Sequence, residues 1–261
     1  MSKPAGTRIL VALDESPRSA AALTAAAALA AELDAELAGL FIEDINLQHL
    51  AGLPFAREFS LLSGVGRPFS QGEVEQTWRR EADTLQRQLA EAAGRLSLRW
   101  SFRVARGQVS AEVTTQAQAF DLIVLGKRTG IGVVTLTHTK VTNVYPNLRV
   151  GPVLVLFEDI LTSARSLELG ATLARRNGAE LVPLVSADSD DACQAVCAEL
   201  MSRGISRRCV WLRKLDGASL VQATRREAAG CLVLANKERF LSQAGFERML
   251  DDIECPIVLT R

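Results

Sequence analysis

Along the chain, continuous apolar runs of about five residues alternate with longer stretches in which apolar residues recur every three or four positions. The runs at 8–13, 121–126, 152–157, 231–235 and 256–260 predict strands buried on both faces, because nothing polar interrupts them. Residues 36–43 read as a further strand, and 98–105 as one with the alternation of a half-buried strand. Asp14-Glu15-Ser16-Pro17 marks a turn; Ser16 can cap the next helix and Pro17 suits its first position, carrying that helix to about Leu33. Val74, Trp78, Ala82, Leu85, Leu89, Ala92 and Leu96 share one face of an amphipathic helix. Shorter helices are expected at 110–119 and 135–145. Later in the chain helices are expected at 162–176, 190–203, 217–229 and 238–251, with strands at 180–186 and 208–213. Trp100 and Trp211, in corresponding strands, are expected in the core. Residues 44–72 break this rhythm: apolar patches punctuated by glycine and proline predict a long irregular insertion, either folded over the strand ends near Asp14 and Gly126 as a lid or partner-docking surface, or covering the side of the sheet.

The pattern repeats. Residues 9–40 superpose on 153–184 at a constant offset of 144 without a gap, and twelve of the 32 positions are identical, including Ser19/Ser163, Ala30/Ala174 and Ala35/Ala179. A repeat of this length decides the domain count. Two α/β units are expected, 1–151 with its 44–72 insertion and a shorter 152–261. Each should carry an open, mostly parallel sheet of four or five strands with helices on both faces. Duplication can internalise an ancestral two-fold contact, so the units should pack as an intrachain pseudo-dimer; pairing between chains as a homodimer is the alternative. The run at 152–157 is ambiguous, since it matches both an opening and a closing strand. Either one sheet is a strand short or this strand is shared.

Composition narrows the class. Thirty basic and thirty acidic residues leave no net charge, which removes the global field that draws in nucleic acid or an anionic membrane. The longest apolar stretch, 20–31, falls short of a membrane span. All five cysteines lie after residue 190, are odd in number and lack paired spacing, which suits a reducing cytoplasm. Cys193 and Cys197 read as small core residues. His49 and His138 lie far apart without a ligand-spaced partner, so no metal centre is expected. No nucleophile elbow, P-loop or Rossmann fingerprint is present.

Three motifs, taken in order, resemble the universal stress protein family in tandem form. ILVALDES resembles its opening strand and aspartate turn, AELAGLFIE its second strand, and FDLIVLGKRTGIG followed by VGPVLVL its fourth strand, glycine loop and final strand. The resemblance implies an ATP site in the first unit only, at Leu13, Asp14 and Ile42 and along a loop of form G-x-x-G, nine residues, then G-S or G-T. Glycines there let backbone N–H groups approach phosphates. Gly126 fits the first position. Thr129 stands at the second glycine, and Thr139-Lys140 stand where glycine and hydroxyl residue belong, with Gly130 and Gly132 nearby. The loop is eroded. Lys127, Arg128 and Lys140 either supply charge where backbone contacts were lost or are solvated surface cations. Asp14 either contacts the nucleoside half of a ligand or serves as a turn residue. In the second unit Glu158 replaces the aspartate and Ala235 the glycine.

The function implied is a stress-response regulatory or binding protein, acting through conformation and an unidentified protein partner, with weak or absent ATP binding in the first unit and no other cofactor. The alternative is an adenine-nucleotide-binding protein with slow ATPase or phosphotransfer activity. Against it stands the lack of a general base or metal-binding carboxylate cluster near the loop. No catalytic residue is assigned.

Overall fold

The structure, a computed structural model, describes residues 7–14, 16–59, 66–68, 70–126, 151–235, 249 and 252–260. The chain opens with β1 (Arg8–Leu13), α1 (Pro17–Glu32) and β2 (Glu36–Asp44). Ser16 caps α1 through its side chain and Pro17 is the first helical residue, as the sequence signals require. Next come α2 (Ile45–Ala51), a small hairpin of β3 (Arg57–Phe59) and β4 (Gly66–Pro68), then α3 (Gln71–Arg95), β5 (Trp100–Gly107), α4 (Val109–Ala117) and β6 (Leu122–Leu125). The expected irregular insertion therefore contains a short helix and a hairpin. Asp44, whose side chain accepts from the Asn46 N–H, starts that helix. Helix α2 packs against α3 and β5, which fits cover for the side of the sheet. Later elements are β7 (Val153–Phe157), α5 (Ile160–Asn177), β8 (Leu181–Ser186), α6 (Asp190–Ser202), β9 (Val210–Leu212), α7 (Gly217–Arg226), β10 (Cys231–Leu234) and β11 (Ile257–Thr260). The helices expected at 135–145 and over most of 238–251 lie outside the described residues.

The class is α/β with a mostly parallel sheet, but the two expected sheets are joined edge to edge into one. Nine strands run in the order β5-β2-β1-β6-β11-β10-β7-β8-β9, and every neighbouring pair is parallel except β6–β11. The ambiguous run at 152–157 is thereby resolved. Strand β7 pairs with β8 and β10, so it belongs wholly to the second set. Among the described residues the first set has four strands, and β11 occupies the outer side of β6. The physical reason is a spare hydrogen-bonding edge: β6 is buried and fully apolar, and an unpaired ladder there would leave backbone groups without partners.

Alternate strand residues feed two apolar layers. Ile9, Val11 and Leu13 face a layer with α1, α3, α5 and α6, while Leu10 and Ala12 face one with α4 and α7. Each layer runs unbroken across the β6–β11 junction. On the first face α1 packs against α5, and Arg176 of α5 meets Glu32 of α1 at 2.9 Å. Beneath them the buried Ser166 and Thr260 hydroxyls share a 3.0 Å hydrogen bond.

Geometry also recurs at the 144-residue offset. Val11 pairs with Gly39 and Val155 with Pro183, in the same register. The Ala35 N–H donates to the Ala30 carbonyl at 2.9 Å, and Ala179 to Ala174 at 2.8 Å. Left-handed residues end both helices, Asp34 at φ 47° and Gly178 at φ 60°. One position differs in packing: Gly170 stands where α1 has Ala26, and a Cβ there would come within 2.4 Å of Val155 Cγ2. Helix α5 thus lies closer to its strand than an alanine allows.

Candidate functional site

The sequence singles out the carboxyl ends of β1 and β6, and parallel pairing of these strands brings those ends side by side. Where β1 stops, the Asp14 N–H donates to the buried Ser19 hydroxyl at 2.8 Å. Asp14 Oδ1 accepts from the Ser16 N–H at 2.8 Å, closing a tight turn. Ser16 Oγ accepts from the Ser19 N–H at 3.2 Å and donates to the Gly126 carbonyl at 3.3 Å. One hydroxyl therefore caps α1 and ties the end of β1 to the residue after β6. The sequence shows Ser16 as a cap; the tie to Gly126 needs the tertiary pairing and leaves no local signal.

Among the other sequence-predicted residues, Leu13 and Ile42 are fully buried, Leu13 on the α1 side and Ile42 on the α4 side. Their side chains are core, so either could meet a ligand only through its backbone. Gly126 is buried. Lys127, Thr129, Gly130, Gly132, Thr139 and Lys140 lie outside the described residues, as does Arg128. The described part of the corner presents a carboxylate at Asp14 and backbone groups at two strand ends.

The matching corner of the second set keeps the scaffold and loses the tie. The Glu158 N–H donates to the buried Ser163 hydroxyl at 3.1 Å, repeating the Asp14–Ser19 bond 144 residues on. Ile160, however, stands where Ser16 was. Asp159 caps α5 instead, accepting from the Leu161 and Thr162 N–H groups at 2.9 Å each and from the Thr162 hydroxyl. The Thr162 side chain, foremost, and the backbone bonds hold the Asp159 carboxyl below the ordinary aspartate range. Leu161 beside it is 92% exposed.

Other candidate chemistry lies apart from these corners. A shallow pocket of about 560 Å³ is bounded by α7, Met249 and Asp252, and neither Asp14 nor Gly126 lines it. All five cysteines are free thiols. Cys193 is buried, with its Sγ 3.8 Å from that of Cys197. Burial, then the neighbouring thiols, pushes Cys197 strongly upward, and burial pushes Cys231 well up, so neither is a ready nucleophile at neutral pH. Among the described residues no group of three His, Cys, Asp or Glu side chains is arranged to hold a metal ion. At the opposite ends of the strands Arg208 bridges Glu180 at 3.0 Å and Glu227 at 2.7 Å. Burial works to raise the Glu227 carboxyl, but its bonds to Arg208 and Arg226 prevail and hold it low. No helix among the described residues is long and apolar enough to cross a membrane.

Comparison with known proteins gives fold relatives rather than sequence relatives. No protein-family model matches the chain. No curated protein matches it either. Among solved structures it is similar to a universal stress protein from Archaeoglobus fulgidus DSM 4304, at 10% identity and a TM-score of 0.52, covering 97% of this chain and 98% of that one. It is similar also to a functionally unknown protein from Pseudomonas aeruginosa PAO1, at 13% identity and a TM-score of 0.51, covering 98% and 92%. Over almost its whole length, the chain has the fold of a universal stress protein.

Proposed function

We propose that this protein is a stress-response regulatory protein of the universal stress type, formed from two tandem units paired within one chain as a pseudo-dimer. The units are 1–151, with its insertion at 44–72, and 152–261. It works in the cytoplasm through conformation and binding to a protein partner, not through turnover. ATP, if bound, is held weakly and only at the first unit, around Leu13, Asp14, Ile42 and the eroded loop carrying Lys127, Thr129, Gly130, Gly132, Thr139 and Lys140. The observation that supports this reading most is the corner at Ser16. Its hydroxyl donates to the Gly126 carbonyl at the very strand ends where a nucleotide would seat, so one lone pair of that carbonyl is already taken by an internal hydrogen bond. The second corner lacks both the serine and the glycine.

Calorimetric titration of the intact chain with ATP, joined to mass spectrometry of small molecules released from native protein, tests the reading. The expected result is no bound nucleotide and a dissociation constant of about 1 mM or weaker. Micromolar binding that survives Gly126→Val, or steady release of inorganic phosphate from ATP, would replace a regulatory protein by a nucleotide-dependent one.

A further inference from the structure

The two outer edges of the sheet are built differently. Strand β9 contributes three largely buried residues, whereas β5 contributes eight, of which five are exposed. Short strands, prolines, bulges and charged side chains are the usual protection of a sheet edge; β5 has only the last, in Arg103 and Arg106, and pairs with β2 in unbroken register from Trp100 to Gly107. Among the described residues no strand pairs with its outer side. The Leu37 N–H donates to the Arg99 carbonyl, with Leu37 in register with Trp100. In a parallel ladder this turns the odd-numbered backbone groups toward β2 and those of Trp100, Phe102, Val104 and Arg106 outward.

The two faces of this edge carry different chemistry. Even positions share the α3 side, where Phe102 packs into the core and Trp100 and Val104 are 38% and 44% exposed. The cation on that side, Arg106, is neutralised by Glu43 at 2.7 Å and stacks over Trp78. Odd positions share the α4 side. There Arg103 bonds to the neutral Gln116 side chain and Arg99 to the Asp34 carbonyl oxygen. Among the described residues neither guanidinium has a carboxylate partner. We infer that the outer edge of β5 docks an extended acidic segment of another protein, added as a tenth strand, with apolar side chains toward Trp100 and Val104 and carboxylates toward Arg99 and Arg103. Strand addition supplies main-chain bonds, and the period of two supplies the code. A second copy of this chain fits poorly. Antiparallel self-pairing would set Arg99 and Arg103 of both copies on one face of one ribbon, where the nearby carboxylate, Glu36 against Ser101, is already paired with Arg8.

The test uses the intact protein and a labelled peptide of alternating Val with Asp or Glu, eight residues long, followed by fluorescence anisotropy. Binding should be saturable and weaken in salt. It should fall about tenfold or more when Arg99→Glu and Arg103→Glu are combined, and by a similar factor when the peptide's acids become Asn and Gln. Val104→Pro removes an outward N–H without touching the β2 ladder and should abolish binding while circular dichroism stays unchanged. A fully N-methylated peptide gives the same information with the protein unaltered. Undiminished binding of the N-methylated or the neutral peptide would overturn the proposal, as would no binding up to about 1 mM. A concentration-dependent dimer lost in Val104→Pro would overturn it too, by making a second copy the occupant.

Discussion

The corners at Ser19 and at Ser163 are the same piece of backbone put to different ends. In both, a buried serine hydroxyl accepts the N–H of the residue that follows the strand. In the first corner a second serine reaches across to the neighbouring strand end; in the second an isoleucine stands there, and an exposed aspartate caps the helix by itself. What holds the helix onto the strand matches in the two corners, and what faces outward differs. Function is therefore to be sought in the residues that differ between the corners, and stability in those that match.

The largest effect that would test this comparison lies just before β7. Gly151 stands where the first set has Thr7, and a Cβ on Gly151 would sit 2.0 Å from the Ala228 carbonyl oxygen, a backbone atom that cannot rotate away. Gly151→Ala should cost about 3 kcal/mol in denaturant unfolding, while Thr7→Ala should change little. Equal costs would mean that the strands enter the sheet alike and the asymmetry is illusory.

The shared serines come next. Ser19→Ala and Ser163→Ala each remove a buried hydroxyl acceptor from a part-buried N–H, at about 1 kcal/mol apiece. Matching losses sharpen the equivalence of the corners; a loss at only one would break it. Of the same order is the effect of the left-handed residue that ends each helix. In denaturant unfolding Asp34→Gly should stabilise the fold and Gly178→Ala should destabilise it, each by about 1 kcal/mol, so the same backbone conformation predicts opposite signs in the two sets.

The smallest effect concerns Glu32 and Arg176, which stand 144 residues apart in sequence and so at equivalent positions. Across the two-fold axis of a true dimer a residue at such a spot would meet its own copy. Here an acid meets a base. Both side chains are more than a third exposed, so the pair contributes about 0.5 kcal/mol after screening. Glu32→Arg should destabilise by that order, and adding Arg176→Glu should restore it in a double-mutant cycle. Failure of the double change to recover would mean that the seam tolerates either charge.

Much of this was legible beforehand because burial on both faces leaves β6, β7 and β10 with no polar residue, and β1 with only Arg8 at its start, a local property of sequence. The cap at Ser16 was likewise written in Ser16-Pro17. Strand β5 had only its alternation, and Trp100, expected in the core, is partly exposed because its strand is an edge. Helix α2 was missed since seven residues between glycine-punctuated patches give too short a period; its one signal was Asp44 before Asn46. The fusion of two sheets into one was illegible in principle. It depends on Leu122–Leu125 meeting Ile257–Thr260, which no local pattern encodes. The same holds for the reach of Ser16 to Gly126, since a hydroxyl's second partner is chosen by tertiary placement.

The central position of β11 has a consequence for the order in which the molecule is made. Residues 257–260 fill the gap between β6 and β10, at the middle of the sheet rather than at its rim. During synthesis, where earlier segments fold first, the β6 edge is complete and apolar while every later strand is still to come. Until β11 emerges, the nascent chain presents two bare strands, β6 and β10, each able to pair with the wrong neighbour or with another nascent chain. Strand β11 acts as a keystone. A chain from which residues 257–260 were lost would be opened along the centre line of its sheet rather than trimmed at its rim, a species for chaperones to hold or proteases to clear.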